Sequence, residues 1–208
     1  MTGAGRTDRG VHARGQVAHF DTRAARPDTA WVRGVNAFLP ESVAVLWACP
    51  VHAEFHARFN AVARTYRYRL INRPVRPALA ARYAGWYHAP LDVDAMHEAA
   101  RLLLGEHDFS AFRAAECEAA TPVRTVHSLD ITRTGERIEF VIRANAFLHH
   151  MVRNIVGTLI YVGNGRRAPG WVGEVLGSRD RAKAAPTFAP EGLYLERIEY
   201  DAKWALPQ

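Results

Sequence analysis

Apolar residues recur at every second position in several parts of the chain, and this alternation predicts strands. The longest predicted strand is Val62–Ile71, which places Arg64, Tyr66 and Tyr68 on one face and Arg67 on the other. A hairpin is predicted at Thr125–Thr132 and Arg137–Arg143, and shorter strands at Gly15–Thr22, Ser42–Ala48 and Leu193–Tyr200.

Apolar residues three or four positions apart predict four helices. The first is capped by Asp28 and ends before Pro40, and the second starts at Asp92 or Asp94 and ends at Gly105. The other two are expected at Phe147–Val162 and Trp171–Leu176. Strands joined mainly by hairpins, with helices between them, predict an α+β fold on a largely antiparallel sheet.

Composition points to a polyanionic partner. The 208 residues are 49% apolar, which allows a real core, and carry a net charge of +6 with a pI near 9.7. A basic protein of this kind is typical of nucleic-acid binders. No apolar run approaches the roughly 18 residues of a membrane span, and no secretory leader is evident, so a cytoplasmic location is expected.

The basic excess is concentrated in one stretch, Phe55–Leu91, which contains no aspartate or glutamate. Four tyrosines and one tryptophan are interleaved with its arginines, a pattern expected of a groove that handles unpaired nucleotides. An ordinary solvated strand face is the alternative interpretation. The strand alternation also places Arg67 and Arg69 opposite Tyr66, so the arginines cannot all line one pocket. The seven arginines are Arg58, Arg64, Arg67, Arg69, Arg73, Arg76 and Arg82.

Candidate chemistry begins near the N-terminus, in the segment Gly5-Arg6-Thr7-Asp8-Arg9-Gly10-Val11-His12-Ala13. Two arginines flank Asp8, and an arginine within a few ångströms keeps a carboxylate ionised. We expect Arg6 to form that ion pair. Glycines on both sides suit a tight turn that approaches another group closely. A solvated surface turn is the alternative for these nine residues.

A second candidate segment is Phe147-Leu148-His149-His150-Met151-Val152-Arg153-Asn154. If it is helical throughout, His150 and Arg153 share a face that either meets RNA or braces the active site. Adjacent helical positions point about 100° apart, which makes His149 and His150 poor co-ligands. With no cysteine or carboxylate at ligand spacing, the sequence predicts no metal site.

These segments resemble the motifs of the tRNA pseudouridine synthase A family. The first matches G-R-T-D-x-G-V-H-A and the second F-x-x-H-M-V-R-N, while Arg64–Tyr68 matches R-x-Y-x-Y and Glu191–Leu195 matches the last motif. The resemblance implies a pseudouridine synthase fold, in which two ferredoxin-like halves share a mostly antiparallel sheet with flanking helices. Family members carry a strand and helix ahead of G-R-T-D. We therefore expect an incomplete N-terminal half at 1–56, from a fragment or a misassigned start, and a C-terminal half at 57–208.

The same resemblance assigns roles to residues. It nominates Asp8 as the catalytic nucleophile, Tyr66 as the residue that stacks on the target uracil and takes part in proton transfer, and Leu193 as an apolar side chain packed near Tyr66. Substrate contacts are further expected from the basic stretch and from the histidine–arginine face, at Arg58, Arg64, His150 and Arg153.

The implied activity is the isomerisation of uridine to pseudouridine at tRNA positions 38, 39 and 40, in the anticodon arm, by a homodimer. No cofactor is expected, because the uracil stays in the pocket while its bond to the sugar moves. Attack by Asp8 at C1′ of the sugar or at C6 of the base both remain open. Two alternatives are a carboxylate-dependent nucleobase glycosylase and a truncated tRNA-binding protein without activity. A glycosidase mechanism would also need a second carboxylate.

Overall fold

A computed structural model describes residues 1–207 of the chain. Within that range the elements, in chain order, are β1 (Thr2–Gly3), β2 (His12–Ala13), β3 (Ala18–His19), α1 (Asp28–Asn36), β4 (Ala61–Asn72), β5 (Gly85–Tyr87), α2 (Val93–Arg101), β6 (Gly105–Asp108), β7 (Val123–Thr134), β8 (Arg137–Ala144), α3 (Met151–Gly163), α4 (Trp171–Ser178) and β9 (Leu193–Tyr200). Short 3₁₀ turns lie at Ser110–Phe112, Arg181–Lys183 and Ala202–Trp204.

One mixed sheet organises the molecule. Its strands follow the order β2-β9-β4-β8-β7-β6, and β5 pairs with the last residues of β4. The β2–β9 and β4–β5 pairs are parallel and the remaining pairs of this sheet are antiparallel. The predicted α+β class, with a largely antiparallel sheet and flanking helices, is therefore confirmed.

The two faces of β4 differ in what covers them. The front face, which carries Tyr66, Tyr68 and Leu70, packs against the helices and forms the main core. The back face, which carries Arg67 and Arg69, is occupied by ion pairs with glutamates of neighbouring strands. The largest fully buried side chains of the main core include Phe109, Phe112, Phe140, Met96, Met151 and Ile155.

A smaller cluster lies where the N-terminal segment meets β9. Ala4, Phe55 and Ala57 pack there against Leu195, and Tyr66 contacts both this cluster and the main core. The cluster joins residues from both sides of the domain division predicted after residue 56. That division stays a prediction. Apolar burial of this kind ties the first residues of the chain to the sheet.

Two of the predicted strands differ from the structure. The alternation over 15–22 gives only the two-residue strand β3, and the prediction of a strand at 42–48 is wrong. In that segment the side chain of Asn36 bonds to both backbone groups of Val45, at 2.7 and 2.8 Å, and most of the segment is exposed. Its backbone therefore binds the end of α1 rather than a neighbouring strand.

The four predicted helices are present, although α3 begins at Met151 instead of Phe147. Asp28 is the first residue of α1 rather than its cap, since Pro27 holds the N-cap position and no side chain caps the helix. Over residues 1–207, no helix has the length and apolar character needed to cross a membrane.

Candidate active site

Asp8 is presented by a tight turn. The Val11 N–H donates to the Asp8 carbonyl at 3.0 Å, and Gly10 has a φ of +85°. A four-residue turn with positive φ at its third position is of type II, which glycine adopts without strain. A Cβ on Gly10 would also lie 3.1 Å from Pro190 Cγ. The glycine is therefore required by both the turn and its neighbour.

The turn is held firmly although it lies close to the N-terminus. Before it, the Gln16 amide donates to the Gly5 carbonyl at 2.7 Å and its oxygen accepts from the Gly5 N–H at 3.3 Å. After it, β2 pairs with β9, and the Arg14 N–H donates to the Leu195 carbonyl at 2.8 Å. These contacts supply the rigid support that a catalytic turn needs.

Three side chains surround the Asp8 carboxylate. His149 Nε2 lies 3.1 Å from Asp8 Oδ1, while His150 Nε2 and Arg153 Nη1 lie 3.2 and 3.3 Å from Asp8 Oδ2. Asp8 is 26% exposed and Arg153 only 13%. Arg153 Nε donates to the Phe188 carbonyl at 2.7 Å, which fixes the guanidinium against the carboxylate. A hydrogen-bonded pair this shielded from water is stronger than one on an open surface.

The backbone at His150 brings the two imidazoles together. His150 has a φ of +61° and precedes the first residue of α3, so His149 and His150 do not follow helical geometry. Their ring centroids are 4.0 Å apart, and both rings reach Asp8. The argument that helical spacing separates these two histidines was therefore wrong. Burial lowers the pKa of His150, with His149 and Arg153 lowering it further.

The expected ion pair between Arg6 and Asp8 is not the one that forms. The Arg6 guanidinium lies 3.4 Å from Glu118, and these side chains are 84% and 81% exposed. Arg153, which follows Asp8 by 145 residues, takes the place predicted for Arg6. The physical reason is position: the turn directs Asp8 toward the start of α3, while Arg6 points to solvent.

Tyr66 lies beside Gly5, in the segment that leads into the turn, and its roles in stacking and proton transfer stay predictions. Its ring packs edge-on against Phe147, with centroids 4.9 Å apart. Its hydroxyl is 3.9 Å from where a Cβ on Gly5 would lie. Burial raises the pKa of Tyr66 to about 12, partly opposed by Arg64, so the phenol is protonated at neutral pH. Leu193 is buried opposite Tyr68 on β9, in the same core.

Besides Arg153, two arginines are expected to bind substrate, and their surroundings differ. Arg64 donates to the backbone carbonyls of Arg58, Ala61 and Asn145, at 2.7, 3.3 and 2.9 Å. Its guanidinium therefore ties the start of β4 to the end of β8, and burial lowers its pKa. Arg58 is exposed, with its guanidinium 5.8 Å from the ring centre of Phe59. The structure thus gathers Asp8, Tyr66, His150 and Arg153, and leaves Arg6 and Arg58 toward solvent.

Sequence reasoning missed two residues of this site. His149 contacts Asp8 directly, and Asn154 is a buried hub that anchors the first turn of α3. The Asn154 amide donates to Phe112 at 2.7 Å, and its oxygen accepts from Thr187 at 2.7 Å and Arg181 at 3.1 Å. A polar residue among the apolar positions of a predicted helix was the available signal for Asn154.

The fold and this site together define an α+β enzyme whose candidate active site is centred on one carboxylate. A family model described as tRNA pseudouridine synthase matches residues 1–60 and 99–201. The chain belongs to this family, as its motifs predict.

Relatives named tRNA pseudouridine synthase A align along nearly the whole chain. The protein from Herminiimonas arsenicoxydans is 59% identical over 99% of the chain and 76% of its own length. Those from Thiobacillus denitrificans and Nitrosomonas eutropha are 58% and 56% identical over the full chain, and over 80% and 75% of their own lengths.

Proposed function

We propose that this chain isomerises uridine to pseudouridine in tRNA, at positions 38, 39 and 40 of the anticodon stem-loop, with Asp8 as the covalent nucleophile. The observation that supports this most is the Asp8 carboxylate, fixed by Arg153 and two imidazoles beside the phenol of Tyr66. The relatives named tRNA pseudouridine synthase A support the tRNA substrate.

The reaction needs the target base outside its stack. Extracting a nucleotide costs about a few kcal/mol, which stacking on Tyr66 and contacts from the basic surface would offset. The Asp8 carboxylate then attacks C1′ or C6, and the N1–C1′ bond breaks. The base turns, C5 bonds to C1′, and the bond to Asp8 breaks, which restores the free carboxylate. The C5 proton leaves while N1 gains one. Substrate and product contain the same atoms, so the balance requires no oxidant, reductant or cofactor.

Arg153 acts in this scheme as a positioning residue. It holds one carboxylate oxygen, which leaves the other oxygen to His149 and the incoming sugar or base. The exposed Arg6 is available to the RNA, and we retain it, with Tyr66, among the proposed catalytic residues. Homodimer formation, a cytoplasmic location and RNA contacts from Arg58, Arg64 and His150 are part of the same proposal.

The decisive experiment uses tRNA labelled with tritium at C5 of uridine. We expect the chain to release tritium and retain the base, and Asp8→Asn to reduce release to background. Asn keeps the shape of the side chain but is a far weaker nucleophile. Filter binding should give a tRNA Kd for Asp8→Asn within about threefold of the parent value, because the variant changes one group of a large interface.

Asp130→Asn is the matched control, because Asp130 is an exposed carboxylate on β7. It should release tritium at the parent rate. Turnover by Asp8→Asn would contradict the assignment of the nucleophile. Free uracil as product would favour a glycosylase, and tRNA binding without tritium release by the parent chain would favour a binding protein.

A further inference from the structure

The carboxylate and the two imidazoles at the start of α3 form a set of metal-ligand atoms. The ligand atoms of Asp8, His149 and His150 all lie within 4.8 Å of one another. The two carboxylate–imidazole distances are 3.1 and 3.2 Å. Ligands bound tetrahedrally to zinc at about 2.0 to 2.1 Å lie roughly 3.3 Å apart. His149 makes its contact with Oδ1 and His150 with Oδ2, so each imidazole lies at nearly the spacing from one carboxylate oxygen that a shared zinc ion requires.

We propose that Asp8, His149 and His150 bind a divalent cation of the zinc type, and that this ion competes with RNA for the site. Two imidazoles and one carboxylate are ligands that zinc commonly takes, with a fourth position left for water. Since Asp8 is the proposed nucleophile, an ion on its carboxylate blocks attack. The competition rests on the proposed function, whereas metal binding itself does not.

The ligands are pre-organised by backbone contacts. The positive φ of His150 turns its ring to the same side as that of His149. The His149 N–H donates to Cys117 Sγ at 3.4 Å, and its carbonyl accepts from the Ala114 N–H at 3.0 Å. Holding ligand residues in place before binding reduces the conformational entropy lost when the ion binds.

Arg153 has two opposing effects on such a site. Its hydrogen bond to Asp8 Oδ2 orients the carboxylate, as partners of metal ligands generally do. Its positive charge, close to the ion, weakens binding. We therefore expect a site that fills reversibly and releases its ion to a chelator, in the manner of an inhibitory site.

The test is a titration of the full chain with Co²⁺, followed by its visible absorption, and with Zn²⁺, followed by calorimetry. We expect one ion per chain. Asp8→Asn, His149→Ala and His150→Ala should each weaken binding at least about tenfold, because each removes a ligand. His127→Ala is the matched control, since His127 is an exposed histidine on β7 and should leave binding unchanged.

Thermal unfolding followed by circular dichroism checks that each variant is folded, and His149→Gln and His150→Gln replace any alanine variant that is not. The absence of a one-to-one ion, or full-affinity binding by the ligand variants, would overturn the site. In the activity measurements, Zn²⁺ should stop tritium release, and a chelator should restore it. Adding tRNA should raise the apparent Kd of the chain for Zn²⁺. Binding without inhibition would overturn the competition alone. A chain with no tritium release would contradict the proposed function, while the titration would still decide the metal site.

Discussion

The two faces of β4 use arginine in opposite ways. On the back face, Arg67 lies 2.5 Å from Glu139 and 3.6 Å from Glu196, and Arg69 lies 3.5 Å from Glu139. On the front face, Arg64 donates only to backbone carbonyls, and Arg153, from the helix packed there, holds Asp8. The arginines of β4 are thus paired with glutamates on one face and with backbone carbonyls on the other, and the guanidinium at Asp8 comes from α3.

This difference shows that a count of charges along the sequence does not reveal how those charges are paired in the fold. The stretch 55–91 lacks acids, yet Arg67 and Arg69 are paired with glutamates of neighbouring strands, and Arg73 with Glu136 in the turn between β7 and β8. Ion pairs on partly exposed strand faces contribute roughly 0 to 1 kcal/mol each, so the back face is expected to affect stability slightly and chemistry not at all. The proposed chemistry lies on the front face, where the acid is Asp8.

Removing the front-face guanidinium should have the largest effect. We expect Arg153→Ala to lower kcat/KM at least about 100-fold, a loss of ~2.7 kcal/mol of transition-state stabilisation. The loss should fall on kcat, because the proposed role of Arg153 is to position the Asp8 carboxylate rather than to contact the RNA. Steady-state tritium release with separate kcat and KM measures this.

Arg67→Ala is the back-face counterpart and should keep kcat/KM within about threefold. Arg153→Lys should recover part of the lost kcat, since it restores a positive charge without the second hydrogen bond to Phe188. Equal losses from the two alanine variants would remove the distinction between the faces, as would an Arg153→Ala effect confined to KM.

The back face makes its own prediction through Glu199. Hydrogen bonds from Arg143, at 2.9 and 2.7 Å, are the main reason that the pKa of Glu199 falls to about 2 from an ordinary value of 4.5. A carboxyl with a lowered folded-state pKa stabilises the protein above its unfolded pKa and loses this contribution as pH falls toward the folded value. Stability should therefore decline between about pH 4.5 and pH 2, in part through this group.

Glu199→Gln should destabilise the protein by about 1 kcal/mol at pH 7, because it replaces a charge-assisted pair with a neutral hydrogen bond. It should also flatten the decline of stability below pH 4.5. Urea unfolding at pH 7 and pH 3 measures both effects, and tritium release should stay at the parent rate. An unchanged pH dependence would show that the Arg143–Glu199 pair is not coupled to folding.

Features that depend on local interactions could be predicted from the sequence, whereas contacts between residues far apart in the chain could not. Alternation along β4 is local, so the sequence was enough to place Arg67 and Arg69 opposite Tyr66. Their glutamate partners come from β8 and β9, and the Arg153–Asp8 contact spans 145 residues, which only the register and packing determine. The positive φ of His150 was hidden because the apolar periodicity of α3 continues back past its actual start.

The smallest expected effect concerns the ion pair that Arg6 forms with Glu118 instead of the predicted pair with Asp8. Arg6 and Glu118 are both largely exposed, so solvent and salt screen their attraction. A double-mutant cycle with Arg6→Ala and Glu118→Gln, read by urea unfolding, should give a coupling energy below about 0.5 kcal/mol. In the tritium assay, Glu118→Gln should stay within about twofold of the parent rate, and any loss in Arg6→Ala should persist in the double variant. A coupling above about 1 kcal/mol, or a Glu118→Gln loss as large as that of Arg6→Ala, would mean that Glu118 holds Arg6 in place. The cycle therefore separates an arginine that serves the substrate from one that only braces the loop around Glu118.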